Sequence, residues 1–146
     1  MTAMESAAAL LKMRVEQFKV EAPNEFETAF AAMARERIDA VVVTEDGEFA
    51  ASHRAIADLA IGKMLPSIGA KEFAAAGGLI GYGVNVLALY QRAAYFVDRI
   101  IKGSKPADLP VERPALFELI INLKTATALG LAISPTLLVL ANEVIE

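Results

Sequence analysis

Short apolar runs rich in β-branched residues alternate with helix-length amphipathic segments from one end of this 146-residue sequence to the other. That alternation admits few folds. Strands separated by crossover helices pair in parallel, and the helices cover the faces of the sheet they form. The expected class is α/β: a three-layer sandwich with a mostly parallel sheet of about five strands, residues 1–146 forming one lobe.

Segment by segment, the spacing predicts a helix over 3–13 and a half-buried strand over 16–21, where Phe18 and Val20 alternate with polar residues. Pro23 and Asn24 open a helix, and Asn24 with Glu27 three residues on reads as a capping box. Phe26, Ala29, Phe30, Met33 and Ala34 then share one helical face. Ile38 to Thr44 holds a β-branched run suited to a strand buried on both faces. A turn at Glu45-Asp46-Gly47 leads to a helix over 49–63, a short strand at 66–69, one or two helical turns at 71–76 and a strand at 79–82. Residues 86–102 carry the clearest helical period: Val86, Leu89, Tyr90, Ala93, Phe96, Val97, Ile100 and Ile101, closed by Gly103. A connector with three prolines spans 103–114. A strand at 117–122 and a short helix at 124–129 follow, and Ser134-Pro135 opens a final helix running toward Glu146.

Composition removes several function classes. Fourteen basic residues stand against 18 acidic ones, and no Lys/Arg cluster appears, so nucleic acid is not an expected partner. There is no cysteine, hence no disulfide, thiolate chemistry or cysteine metal site. The uncharged stretches Phe73–Tyr90 and Thr125–Asn142 are long enough to span a membrane, but four glycines and Asn85 interrupt the first and Pro135 the second. Both read as turn-plus-helix segments. The N-terminus lacks a basic segment followed by an apolar run, and Glu5 falls where such a run would begin, so no export signal is expected in this chain.

The cluster Gly77-Gly78-Leu79-Ile80-Gly81-Tyr82-Gly83 precedes the best helix, yet it fails as a dinucleotide fingerprint because Val86 stands where the third glycine belongs. Two readings stay open for it: a tight backbone path beside a cleft, with Tyr82 presenting its ring, or a plain strand-entry turn. His53, the single histidine, has no neighbours at metal-ligand spacing and reads as a solvated side chain at a helix start. No nucleophile elbow, phosphate loop or His-Glu-x-x-His occurs, so neither an enzyme, a cofactor nor a metal is expected. Thr44, Glu45 and Asp46 follow the most apolar strand, and Ala70 and Lys71 follow the next; in open parallel sheets, ligands bind beyond such carboxyl ends. A solvated turn is the alternative for the first group.

Residues 77–83 (GGLIGYG), 90–111 (YQRAAYFVDRIIKGSKPADLPV) and 117–131 (FELIINLKTATALGL) closely resemble the C-terminal half of the ABC-transporter substrate-binding proteins related to tryptophan/tyrosine-binding components. The tail 134–146 (SPTLLVLANEVIE) resembles that family's ending, and 17–37 resembles the strand and helix that open its second lobe. The resemblance implies one lobe of a type I periplasmic-binding fold, whose two lobes close around a small solute before docking on a membrane permease. By position, Asp46 and Phe49 match the loop after the second strand, and Tyr82 and Gly83 match the glycine-rich cleft segment. With Thr44 these make the expected ligand-binding set, Tyr82 stacking on the solute, and amino acids are the implied solute class.

Two departures matter. The family usually has Ser where this chain has Gly81, and its members are about twice as long, so the first lobe and the signal peptide are expected to be absent. The family is periplasmic; without a signal, a complete product of this length would be cytoplasmic. With its usual cover missing, helix 86–102 is expected to expose an apolar face that a second copy covers, making a homo-oligomer. A truncated paralogue acting as an oligomeric structural or sensory module is the alternative to solute import.

Overall fold

The computed structural model describes residues 3–146. A five-stranded sheet organises it, in the order β1 (Val41–Val42), β2 (Ser67–Gly69), β3 (Ile80–Val84), β4 (Phe117–Asn122) and β5 (Glu143–Ile145). β1–β2, β2–β3 and β4–β5 pair in parallel, and β3–β4 is antiparallel. Helices α1 (Ala3–Leu10), α2 (Phe26–Arg35), α3 (Gly47–Ala51), α4 (His53–Gly62), α5 (Lys71–Ala75), α6 (Val86–Ile101), α7 (Leu123–Ala128) and α8 (Pro135–Leu140) flank and connect the strands. The class is α/β with a mostly parallel sheet, as the alternating pattern requires.

One face of the sheet carries the main core. α2 buries Phe26, Phe30 and Met33, spaced so that all three fall on one side of the helix. They pack with Ile56, Ala57 and Ala60 of α4, Phe73 of α5 and Val41 of β1. Phe73 is fully buried, and the glycines make room for it: a Cβ on Gly78 would lie 2.2 Å from its ring, and one on Gly69 2.9 Å. The glycine cluster thus serves the seating of α5 on the sheet. A smaller cluster of Leu79, Ala126 and Leu129 closes the end where α7 leaves β4.

Several local expectations change. Residues 16–21 form no strand: Phe18 and Val20 do pack against the core, but no ladder bond holds the backbone, since β1 contributes only two residues at that edge. The Asn24–Glu27 capping box is absent. Pro23–Glu25 is a 3-10 turn, and the Glu25 carboxylate instead accepts from the Glu21 N–H at 2.9 Å. Val42 is exposed rather than buried, because β1 is an edge strand covered on one side. The helix expected over 49–63 is two helices broken at Ser52. His53 is partly buried rather than solvated, its ring meeting Phe73 edge-on at 5.5 Å. The final helix ends at Leu140, and the last residues form β5 instead. Asn142 makes that turn, its side chain accepting from Leu119 N–H and its N–H donating to the Leu119 carbonyl. Among the described residues no helix is long and apolar enough to cross a membrane.

Candidate functional site

Because β1, β2 and β3 are parallel, their carboxyl ends open on one edge, where residues 43–46, Ala70 and Asn85 emerge. Such an edge collects loop side chains and backbone groups in one place. The sequence candidates divide there. Thr44 and Asp46 are exposed, and Asp46 caps α3 by accepting from the Glu48 N–H at 2.9 Å. Phe49 turns inward and meets the Phe26 ring at 5.7 Å. Tyr82 and Gly83 are neighbours on β3, so strand alternation sends them to opposite faces of the sheet. The five residues therefore do not converge on one point.

Tyr82 lies on the face away from α5. Register opposes it to Leu119 and opposes Val84 to Phe117, which places Tyr82 diagonal to Phe117 across the antiparallel pair. The two rings stack, 5.7 Å between centroids and 10° from parallel. Both stay in contact with water, Tyr82 51% exposed and Phe117 48%. Half-exposed, parallel rings at a strand edge form a flat apolar platform. No local motif in the sequence marks Phe117. Its partnership with Tyr82 depends on a pairing across more than thirty residues, which local periodicity does not encode.

On the α5 face the side chains are polar. Lys71 Nζ donates to Glu118 Oε2 at 2.7 Å, and Asn85 Nδ2 donates to Glu118 Oε1 at 2.8 Å. Asn85 Oδ1 accepts from the Ala88 N–H at 2.8 Å, so one amide both caps α6 and joins it to β4. The bond from Lys71 holds the Glu118 carboxyl below its ordinary range, with Asn85 adding to the effect. The same bond raises the Lys71 ammonium above its ordinary value. The Gly83 backbone is next to this cluster: a Cβ there would lie 3.4 Å from Lys71 N and 3.7 Å from Glu45 Oε1. Lys71 and the turn at Glu45 are thus at the edge that the strand pattern indicated, while Asn85 and Glu118 join them unannounced by any motif.

A shallow depression of about 470 Å³, lined in part by Gln17, Phe18, Glu25 and Thr28, shares no residue with this edge. Among the described residues no group of three or more His, Asp or Glu side chains is placed to hold a metal ion.

The model of one protein family, described as ABC transporter substrate binding protein, matches residues 1–145. No curated protein matches the chain. Among solved structures, a conserved domain protein from Vibrio cholerae superposes with a TM-score of 0.85 at 22% identity, over 97% of this chain and 48% of that one. The ABC domain from Streptococcus pneumonia in complex with L-Trp also gives 0.85, at 26% identity and the same two coverages. CD0873 from Clostridium difficile, a substrate binding protein with adhesive properties in its ligand-free, open structure, gives 0.73 at 21% identity, over 98% of this chain and 48% of that one. The chain spans about half the length of these neighbours.

Proposed function

The chain belongs to the ABC transporter substrate-binding protein family, a family of binding components rather than enzymes, and from that premise we propose that it binds a small solute with a flat apolar ring, an aromatic amino acid foremost, for an ABC-type import system. The observation that carries this reading is the half-exposed Tyr82–Phe117 stack at the carboxyl edge of the parallel strands. A ring laid on that platform gains apolar burial at roughly 25 cal/mol per Å² and an offset-stacking term of about 0.5–1.5 kcal/mol. L-Trp bound to the Streptococcus neighbour supports the choice of solute class.

In this reading Tyr82 and Phe117 hold the ring, while Thr44, Asp46 and Gly83, which do not converge on that stack, take no direct part in holding it. Phe49 supports the Asp46 loop from the core side, through Phe26. A membrane permease is the partner that receives the loaded protein, on the extracytoplasmic side. A thermal-shift series over the amino acids tests the solute class. Aromatic members should raise the melting temperature with saturation while aliphatic and acidic ones leave it unmoved, because a ligand stabilises only the state it binds. A flat response to every aromatic amino acid contradicts the proposal.

A further inference from the structure

Phe117 is the first residue of β4 and follows a connector with three prolines, which have no N–H to donate to a ladder. Its ring is half-exposed, so burial alone does not fix it. Tyr82 is better held: it lies mid-strand, and β3 is paired with both β2 and β4. Phe117 is therefore the half of the platform whose place other contacts must set. Both of its chain neighbours are held by one residue. The Asn85 N–H donates to the Leu116 carbonyl at 2.9 Å, and Asn85 Nδ2 donates to Glu118 Oε1 at 2.8 Å. The remaining side-chain atom, Asn85 Oδ1, accepts from the Ala88 N–H and anchors the amide to the first turn of α6. Lys71 Nζ holds the other Glu118 oxygen at 2.7 Å, so the carboxylate is fixed from two elements at once.

We propose that Asn85 is a positioning residue of the solute site: it grips the chain on either side of Phe117 and so presents that ring, parallel to Tyr82, to the solute. Strand alternation supplies the direction. Phe117 and Glu118 are consecutive on β4 and point to opposite faces of the sheet. A clasp on the Glu118 face therefore leaves the Phe117 ring free on the face it shares with Tyr82. Asparagine suits both duties because its amide carries donors and an acceptor. Aspartate would keep the α6 cap but turn a second carboxylate toward Glu118. Serine would keep the cap but is too short to reach Glu118. The gain is preorganisation, since a ring already set in place loses little freedom when the solute arrives. This role rests on the solute reading of the platform; the bonds that Asn85 makes do not.

Proton NMR of the ligand-free full chain and calorimetry with L-tryptophan test this together. The parent should show ring-to-ring nuclear Overhauser contacts between Tyr82 and Phe117, whose centroids are 5.7 Å apart. Asn85→Asp and Asn85→Ser both retain a helix cap, so the circular dichroism spectrum should not change. Each should weaken the ring contacts and raise the Kd for L-tryptophan by about tenfold, the order expected for one lost hydrogen bond to a charged group. Adding Glu118→Gln to Asn85→Asp lets the glutamine amide donate to the aspartate, which reverses the bond. That double variant should regain the ring contacts and bind within about threefold of the parent, a pairwise rescue that a merely structural role would not give. Ring contacts left intact by both single variants overturn the proposal, as does a double variant no better than Asn85→Asp. A parent that does not bind L-tryptophan sinks the solute reading, and the ring contacts alone then decide whether Asn85 sets Phe117.

Discussion

The Gly81 backbone lies directly beneath the carbonyl oxygen of Lys71, so closely that a Cβ on Gly81 would fall 2.4 Å from that oxygen. Lys71 is the first residue of α5, and α5 brings fully buried Phe73 and the Glu118 ion pair with it. The glycine therefore sets how near the helix stands to the sheet. At Gly81 there is no space for a side chain unless α5 moves away.

Gly81→Ala should accordingly destabilise the fold by about 1–3 kcal/mol, the range for overpacking a tight site against atoms that cannot rotate aside. Urea unfolding followed by circular dichroism measures it. A variant as stable as the parent would show that α5 is free to shift, and that the Lys71–Glu118 pair is not fixed by this contact.

The Lys71–Glu118 pair predicts a pH dependence with two limbs. Glu118 titrates lower in the folded chain than in the unfolded one, so its contribution is present above the unfolded value near ~4.3 and fades as pH falls through the folded value. Lys71 titrates higher when folded, so its contribution is complete below about 10.4 and fades as pH rises through the folded value. Glu118→Gln should lower stability most between those limits, and the gap between variant and parent should narrow toward both extremes. Each side chain is about a quarter exposed, which keeps the effect modest. A gap independent of pH would assign the loss to packing instead.

Asn122 ties three elements together where β4 becomes α7. Its Nδ2 donates to the Ala74 carbonyl at 3.0 Å and its Oδ1 accepts from the Thr125 N–H at 3.1 Å, both bonds buried. Thr125 Oγ1 donates in turn to the Gly77 carbonyl at 2.8 Å. Asn122→Ala removes a cap and strands a buried carbonyl, so a loss of about 2–3 kcal/mol is expected. Thermal and urea unfolding check this; a loss below the size of a single exposed cap would mean that water replaces the amide.

How much of this was legible depends on whether the signal was local. The periods of α2 and α6 are carried by side chains three and four apart, and the stop at Gly103 by one residue, so those elements follow from the chain alone. The alternation at Phe18 and Val20 was also real, but it reported packing and not a ladder, because a strand needs a partner edge as well as a pattern. Residues 143–145 show the opposite case: a run that continued a helical pattern became β5 because β4 offered it an edge beyond Asn142. At this edge Tyr82 stands out beside its glycines, while Phe117 and Glu118, on opposite faces of β4, reach it only through the β3–β4 register.

The proposed role of the Tyr82–Phe117 platform is to hold an aromatic solute. Calorimetric titration of L-tryptophan into the parent chain and into Tyr82→Ala tests it most directly. A saturable one-site isotherm is expected for the parent and roughly tenfold weaker binding for the variant, the loss of about 1.4 kcal/mol of stacking and apolar contact. No saturable binding by the parent, or equal affinities for the two proteins, would contradict it.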